Sequence, residues 1–227
     1  MPSSRFIGEV IAITGAASGI GRALALLLAA EGALLSLADV NAVALAEVKA
    51  GVLQRRPDSA TDATILTTVV DVRSRKSCEE WIQATVSHFG KPIAGAANLA
   101  GQRQWNVELH ARRAAAYADR RRWGRWGAIV NASSISGIMG FERNCPYVAA
   151  KHSIVGLTRT AAKEEGSNAT RIEASSGSTE LFGKGDPGAL ARKGDPEEVA
   201  EAIAFLLGPQ SSFISGVVLP IDGGFAC

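Results

Sequence analysis

The chain has 227 residues, of which 47% are hydrophobic and 20% are charged, and its formal net charge is +2. This composition is more typical of a globular α/β protein than of a disordered or fibrous chain. The small net charge argues against nucleic acid or an anionic membrane surface as a partner.

No feature of the sequence indicates a second domain, a membrane span or a secretory route. The composition does not shift along the chain, which predicts one domain over residues 1–227. The longest apolar tract, Ala23–Ala38, is interrupted by Glu31 and Gly32 and falls short of the roughly 20 residues that a membrane span needs. The first residues, "MPSSRFIGEV", run directly into a predicted strand, so we expect no secretory leader. The cysteines and histidines have neither disulfide nor metal-ligand spacing. We therefore expect a cytosolic protein without a metal site.

Apolar runs and amphipathic segments alternate along the whole chain. The predicted strands are Val10–Gly15, Ala33–Asp39, Thr64–Val72, Ile93–Gly101, Gly127–Ser134, Ala169–Ser175 and Gly216–Gly224. The predicted helices are Gly19–Gly32, Ala42–Gln54, Ser74–Phe89, Tyr147–Glu165 and Pro196–Leu207. Alternation of strands and helices indicates right-handed crossovers, and nearly continuous apolar strands indicate burial on both faces. The sequence therefore predicts an α/β fold with a doubly wound, mostly parallel sheet and helices on both faces.

A glycine-rich loop joins the first predicted strand to the first helix. Gly15, Gly19 and Gly21 have the spacing Gly-x-x-x-Gly-x-Gly, which lets the backbone approach a pyrophosphate at the helix N-terminus. Glycine also serves tight turns that bind no ligand. The ligand is favoured by Asp39, which ends the second strand roughly 20 residues later, where a carboxylate can accept hydrogen bonds from an adenosine ribose.

The same carboxylate indicates which nicotinamide cofactor is bound. Asp39 would repel a 2′-phosphate, and neither Ser18 nor Val40 offers a compensating cation. The sequence therefore predicts a preference for NAD(H) over NADP(H).

A second group of residues carries chemistry. Tyr147 and Lys151 lie one helical turn apart and share a helix face, while Ser134 ends a strand at the edge where open α/β sheets bind ligands. A phenol is a poor acid or base near neutrality, and a nearby ammonium lowers its pKa. The Ser134 hydroxyl can orient a carbonyl oxygen. A Tyr-x-x-x-Lys pair alone also arises by chance, but its combination with the glycine loop and Asp39 favours carbonyl reduction.

The ordered motifs resemble the classical short-chain dehydrogenase/reductase family over nearly the whole chain. They are "TGAASGIG", "NLAG", "VNASS", "YVAAK" and "GDPEEVAEAIAFLLGPQSSFISGVVLPIDGG". The resemblance implies a single Rossmann domain, catalytic roles for Ser134, Tyr147 and Lys151, and a contact from Lys151 to the nicotinamide ribose. It further implies that Asn98 braces the sheet near the cofactor.

Cofactor contacts also follow from the resemblance, with Asp71 and Val72 assigned to the adenine. The full set that the resemblance implies is Gly15, Ser18, Gly19, Ile20, Gly21, Asp39, Asp71, Val72, Asn98, Ala100, Gly101, Tyr147 and Lys151.

The chain departs from the family pattern in two places. Only four residues separate Gly101 from Asn106, where the family has a loop and the first half of a long helix. Asn106 stands at the family's usual distance before the catalytic serine and is the candidate for a fourth catalytic residue. After the sixth predicted strand, Glu173 and Ser176 replace the family's asparagine and proline, and the substrate lid is shortened.

The resulting hypothesis is an NAD(H)-dependent oxidoreductase that interconverts a secondary alcohol and a ketone on a small or medium hydrophobic substrate. Two alternatives stay open. The chain can be a catalytically impaired family member that binds a nucleotide or a partner subunit, or an active reductase from whose recorded sequence two internal segments were lost.

Two interpretations concern partners. The arginine-rich stretch at residues 112–125 is interpreted as a solvated helix end and not as a nucleic-acid surface, because the net charge is only +2. The family usually pairs subunits through the helices that contain Asn106 and Tyr147. A homodimer or homotetramer is therefore expected if the shortened helix permits it.

Overall fold

The computed structural model describes residues 5–56, 62–101, 127–166, 170–177 and 189–226. Within these ranges seven strands form one sheet. They are β1 Val10–Thr14, β2 Leu34–Asp39, β3 Ile65–Val69, β4 Ile93–Asn98, β5 Gly127–Ala132, β6 Thr170–Gly177 and β7 Val218–Ile221. Every pair of neighbours is parallel, in the order β3-β2-β1-β4-β5-β6-β7. This sheet confirms the predicted doubly wound architecture.

Helices cover the two faces of the sheet. They are α1 Gly19–Ala30, α2 Ala42–Arg55, α3 Arg75–Phe89, α4 Cys145–Glu165 and α5 Pro196–Leu207. One buried apolar cluster joins the sheet to α1, α2 and α5, and a second joins it to α3 and α4. None of the described helices is long and apolar enough to span a membrane.

The order of the strands reverses at β1, which lies between β2 and β4. In open α/β sheets this reversal opens a crevice at the carboxyl ends of the strands, because the connections on its two sides lead to opposite faces. Gly15 follows β1 and Leu99 follows β4, so both lie beside this crevice. The fold therefore places the glycine loop at the position where ligands are expected.

Four strands end two or three residues earlier than predicted. The third ends at Val69 and not at Val72, the fourth at Asn98 and not at Gly101, the fifth at Ala132 and not at Ser134, and the seventh at Ile221 and not at Gly224. After β3 the backbone turns, since Ser74 N donates to Asp71 O at 3.0 Å. A local turn bond thus replaces the ladder after β3 and places Asp71 in the turn.

Some predicted features lie outside the described residues. They are Asn106, the arginine-rich stretch at residues 112–125 and the side chains of Glu173 and Ser176.

Candidate active site

The three loop glycines have different structural environments. Gly15 adopts φ +69°, and a Cβ there would lie 2.9 Å from Ala100 N, so the loop passes close to the chain that follows β4. A Cβ on Gly21 would overlap the carbonyl oxygen of Gly15, because α1 packs directly on the loop. A Cβ on Gly19, at φ +48°, would meet no atom within 4 Å. Only Gly19 therefore faces open space, as a backbone that contacts a pyrophosphate requires.

We expect Gly21→Ala to destabilise the protein by about 1–3 kcal/mol and to lower its affinity for NADH, because backbone atoms cannot yield to the new methyl group. Thermal unfolding and an NADH titration measure the two effects. Gly156→Ala is the matched control, since a Cβ on this exposed α4 glycine meets nothing within 4 Å. It should stabilise by about 0.5–1 kcal/mol. Equal unfolding temperatures for the two variants would contradict the close packing of loop and helix.

Asp39 holds the glycine loop against the end of β2. Its Oδ2 accepts a hydrogen bond from Ala17 N at 3.0 Å, and its Oδ1 accepts one from Asn41 N at 3.0 Å. The residue is half-buried. A carboxylate has about four acceptor positions, so each oxygen keeps capacity for a ribose hydroxyl.

The segment after β4 is tied to β1 and β5. Thr14 Oγ1 accepts hydrogen bonds from Leu99 N at 3.1 Å and Ala100 N at 3.3 Å. Asn98 Nδ2 donates to Asn131 Oδ1 at 2.8 Å, which links β4 to β5 through buried side chains. These bonds place Ala100 beside Gly15 at the crevice.

The Asn98 link continues into α4. Asn131 Nδ2 donates to Thr158 Oγ1 at 3.1 Å, and both residues are buried. Sequence reasoning missed Asn131 and Thr158. The available signal was polar side chains in otherwise apolar segments, since buried polar groups are nearly always hydrogen-bonded.

Asp71 and Val72 lie in the turn after β3. Arg73 donates to both carboxylate oxygens of Asp71, and this hydrogen bonding lowers the pKa of Asp71 to about 2. Val72 is 8% exposed, because its side chain packs in the core cluster that contains Trp81. The two residues therefore face differently, with Asp71 toward solvent and Val72 toward the core.

Lys151 is a buried cation next to Tyr147. Its side chain is buried, and Nζ donates to Ala132 O at 3.1 Å. Nζ also lies 5.6 Å from the centroid of the half-buried Tyr147 ring. Burial lowers the pKa of Lys151 to about 8. The structure therefore brings together the two helix residues that the sequence paired.

Ser134 begins a short turn that packs on α4. It is 1% exposed, and its Oγ accepts a hydrogen bond from Ser136 N at 3.2 Å, which caps a 3₁₀ turn at Ile135–Gly137. A Cβ on Gly137 would lie 2.9 Å from Lys151 O. The turn therefore lies in close contact with the backbone of Lys151. Because Ser134 Oγ acts as the acceptor in the turn, its hydroxyl hydrogen remains available as a donor.

An apolar surface follows this turn. Ile138, Met139 and Phe141 are 36–39% exposed, although they are large hydrophobic side chains. The Phe141 ring stacks on Phe225 with centroids 6.4 Å apart. Sequence reasoning did not single out these residues. Their exposed apolar side chains, which follow the Ser134 turn in the chain, can contact a hydrophobic substrate.

The described residues thus form two groups. The glycine loop, Asp39 and the chain after β4 surround the crevice, while Ser134, Tyr147 and Lys151 are joined through β5 and α4. In the described part of the chain, no three metal-ligating side chains come together.

Relatives span the whole chain. Residues 15–180 and 182–226 match the family described as "Enoyl-(Acyl carrier protein) reductase". The chain is 39% identical to "Short-chain dehydrogenase/reductase aba4" of Botryotinia fuckeliana, with 100% of both proteins covered. That alignment runs over 264 positions, more than the 227 residues of this chain, so the relative carries segments that this chain lacks.

Solved structures have the same fold. The crystal structure of levodione reductase superposes with a TM-score of 0.82 at 35% identity and covers 98% of this chain and 99% of that chain. NAD⁺-bound xylitol dehydrogenase superposes with a TM-score of 0.80 at 28% identity and covers 97% of this chain and 100% of that chain.

Proposed function

Because this chain belongs to the short-chain dehydrogenase/reductase family, we propose that it interconverts a secondary alcohol and a ketone on a small or medium hydrophobic substrate, with NAD(H) as cofactor. The observation that carries this proposal is the buried Lys151 ammonium above the Tyr147 ring, beside the Ser134 turn. Alcohol–ketone chemistry needs a group that exchanges a proton with the substrate oxygen and a group that orients this oxygen.

Each residue has a distinct part in the proposed reaction. The Tyr147 hydroxyl gives a proton to the carbonyl oxygen in reduction and takes it from the alcohol in oxidation. The Lys151 ammonium, which lies over the ring of Tyr147, places a positive charge next to this residue. The Ser134 hydroxyl donates a hydrogen bond to the same substrate oxygen. The nicotinamide, when bound, supplies or accepts the hydride.

The residues around the crevice fit a dinucleotide. Gly19 leaves space for a phosphate at the start of α1, where the helix dipole favours negative charge. Asp39 has acceptor capacity left for the two ribose hydroxyls, and its charge disfavours a 2′-phosphate. The similarity to NAD⁺-bound xylitol dehydrogenase also supports NAD(H) as the cofactor.

We expect Asp39→Asn to lower NADH affinity about tenfold, because a hydrogen bond to a charged group is worth about 1.5–3 kcal/mol. In the asparagine, one of the two oxygens becomes an NH₂ group. This group cannot accept the hydrogen bond that Ala17 N or Asn41 N donates to Asp39. NADPH affinity should fall less, since repulsion of the 2′-phosphate is removed. Fluorescence titration with both cofactors measures the change, and Asp195→Asn, an exposed carboxylate at the start of α5, is the control. An unchanged ratio of the two affinities would contradict the role of Asp39.

The substrate class is proposed from the exposed apolar side chains of Ile138, Met139 and Phe141, which follow the Ser134 turn in the chain. These side chains favour a carbonyl compound with hydrocarbon on at least one side. The similarity to levodione reductase supports a ketone as the oxidised partner.

The first test of the proposed function is a titration of the purified protein with NADH and NADPH, followed by tryptophan quenching and energy transfer to the bound nicotinamide. Turnover of a panel of ketones, beginning with cyclohexanone, is then measured with NADH. Saturable binding that favours NADH, together with turnover, is the expected result. Failure of a folded sample to bind either cofactor would overturn the proposal.

A second candidate is an impaired family member, because the relative in Botryotinia fuckeliana carries segments that this chain lacks. NADH binding without turnover of any ketone would favour it. Size-exclusion chromatography with light scattering also distinguishes the two candidates. We propose a homodimer or homotetramer for the active enzyme, and we expect a monomer or aggregates for the impaired family member.

A further inference from the structure

Two consecutive residues at the end of β5 hold Lys151 at two points. Ala132 O accepts a hydrogen bond from Lys151 Nζ at 3.1 Å. Ser133 Oγ donates one to the backbone oxygen of Lys151 at 3.0 Å. The side chain and the backbone of the same residue are therefore attached to neighbouring positions of one strand end.

The contact at Ser133 is closely packed. Ser133 is 5% exposed, and a Cβ on Gly137 would overlap its Oγ and would lie 2.9 Å from Lys151 O. A side chain at position 137 would therefore displace the Ser133 hydroxyl from this contact.

This bond is not needed by the helix itself. Lys151 lies in the interior of α4, Cys145–Glu165, where carbonyl oxygens already accept a bond from the backbone four residues later. The Ser133 hydroxyl uses the second acceptor position of this oxygen. It therefore serves to attach α4 to β5.

The attachment determines where the catalytic groups lie. Tyr147 stands one turn before Lys151 on the same helix, so a rotation or shift of α4 at Lys151 moves both side chains. Such a movement would lengthen the bond from Lys151 Nζ to Ala132 O and would expose the ammonium to water. Misplacement by about 1 Å can cost a factor of about 100 in rate.

We propose that Ser133 is a positioning residue whose hydroxyl holds α4 against the end of β5, so that the ammonium of Lys151 stays buried above the ring of Tyr147. The inference rests on the proposed function for its effect on turnover. Its effect on Lys151 does not depend on turnover and is measured separately.

The test compares three variants of the full chain. Ser133→Ala removes the hydroxyl, and Ser133→Thr keeps it. Ser153→Ala is the matched control, because Ser153 lies on the same helix and its Oγ donates to Ala150 O at 2.6 Å, within α4 alone. The first readout is the titration of the Lys151 amine, followed by NMR of protein carrying ¹⁵N-labelled lysine and assigned by the signal that Lys151→Met lacks. The second is kcat and KM for a ketone that the wild type reduces, with the unfolding temperature as a check on folding.

In Ser133→Ala we expect the pKa of Lys151 to rise from about 8 toward 10.5, by at least about one unit, since the amine gains access to water. We expect kcat to fall about tenfold with KM within about twofold, because the lost geometry acts on the reacting groups and not on binding. Ser133→Thr should restore both values, and Ser153→Ala should leave both unchanged.

Two outcomes would overturn the inference. One is that the pKa of Lys151 in Ser133→Ala is the same as in the wild type. The other is that Ser133→Ala and Ser153→Ala lose kcat equally. If the wild type reduces no ketone, the proposed function fails, and the lysine titration alone decides the role of Ser133.

Discussion

Replacement of Tyr147 by phenylalanine should abolish turnover and leave NADH binding intact. The phenylalanine ring keeps the aromatic face on which Lys151 Nζ lies, 5.6 Å from the centroid, so the packing of α4 is retained. Only the hydroxyl is lost, and with it the proton that the carbonyl oxygen needs. We expect kcat to fall by a factor of about 10²–10⁴, the usual contribution of general acid–base catalysis. Steady-state kinetics and an NADH titration measure the two quantities.

The control for this variant is Thr160→Val, which removes a hydroxyl from the same helix. Thr160 is exposed, and its Oγ1 donates to Gly156 O at 3.1 Å within α4. It should keep wild-type kinetics. Turnover by Tyr147→Phe within about twofold of the wild type would refute the assignment of Tyr147, and joint loss of turnover and NADH binding would indicate damage to the fold.

The second large effect is expected at Lys151. Replacement by methionine should abolish turnover and at the same time raise the stability of the protein at neutral pH. Burial lowers the pKa of Lys151 from 10.5 to about 8, which corresponds to about 3 kcal/mol against the charged form. Methionine is also long and unbranched and packs without a charge. Since Ala132 O loses its donor, we expect a net gain of about 1–3 kcal/mol in the free energy of unfolding.

The pH dependence of this gain identifies its cause. Below about pH 8 the lysine is charged in the folded and the unfolded chain, and the folded state carries the full cost of the buried charge. Between about pH 8 and 10.5 the unfolded chain binds more protons, so the stability of the wild type rises with pH. The advantage of Lys151→Met should therefore be largest below pH 8 and should shrink above it.

Urea unfolding of both proteins at pH 7 and pH 9.5 measures this dependence. Lys163→Met is the control, since Lys163 is exposed in the last turn of α4 and its loss removes no buried charge. A stability difference between Lys151→Met and the wild type that is the same at both pH values would contradict a charge buried at Lys151.

The architecture could be predicted because its signals are local. The alternation of apolar runs with amphipathic segments depends on residues a few positions apart, and the helix starts and ends were predicted to within two residues. The ends of β3, β4, β5 and β7 were predicted too late. A sequence pattern does not distinguish a residue in a ladder from one in the turn that follows, since Val70 and Val72 after β3 and Ser133 and Ser134 after β5 are as buried as strand residues.

The partner residues in the links between the elements could not be predicted. Asn98 and Asn131 are 33 residues apart, Asn131 and Thr158 are 27 apart, and Ser133 and Lys151 are 18 apart. Each hydrogen bond requires two elements at a defined distance and rotation, which no single segment contains. Tyr147 and Lys151 could be paired in advance only because one helical turn separates them.

By itself, the sequence determined the α/β alternation, the glycine loop and the helical pair Tyr147 and Lys151, because regular backbone geometry brings residues at short, fixed spacings together. Only the tertiary structure decided that Lys151 is buried and attached to Ala132 and Ser133. It also decided that Val72 faces the core and that Phe141 stacks on Phe225. Burial and contacts across elements depend on how β5, α4 and the C-terminal segment pack against one another, and this packing brings together residues that are distant in the chain.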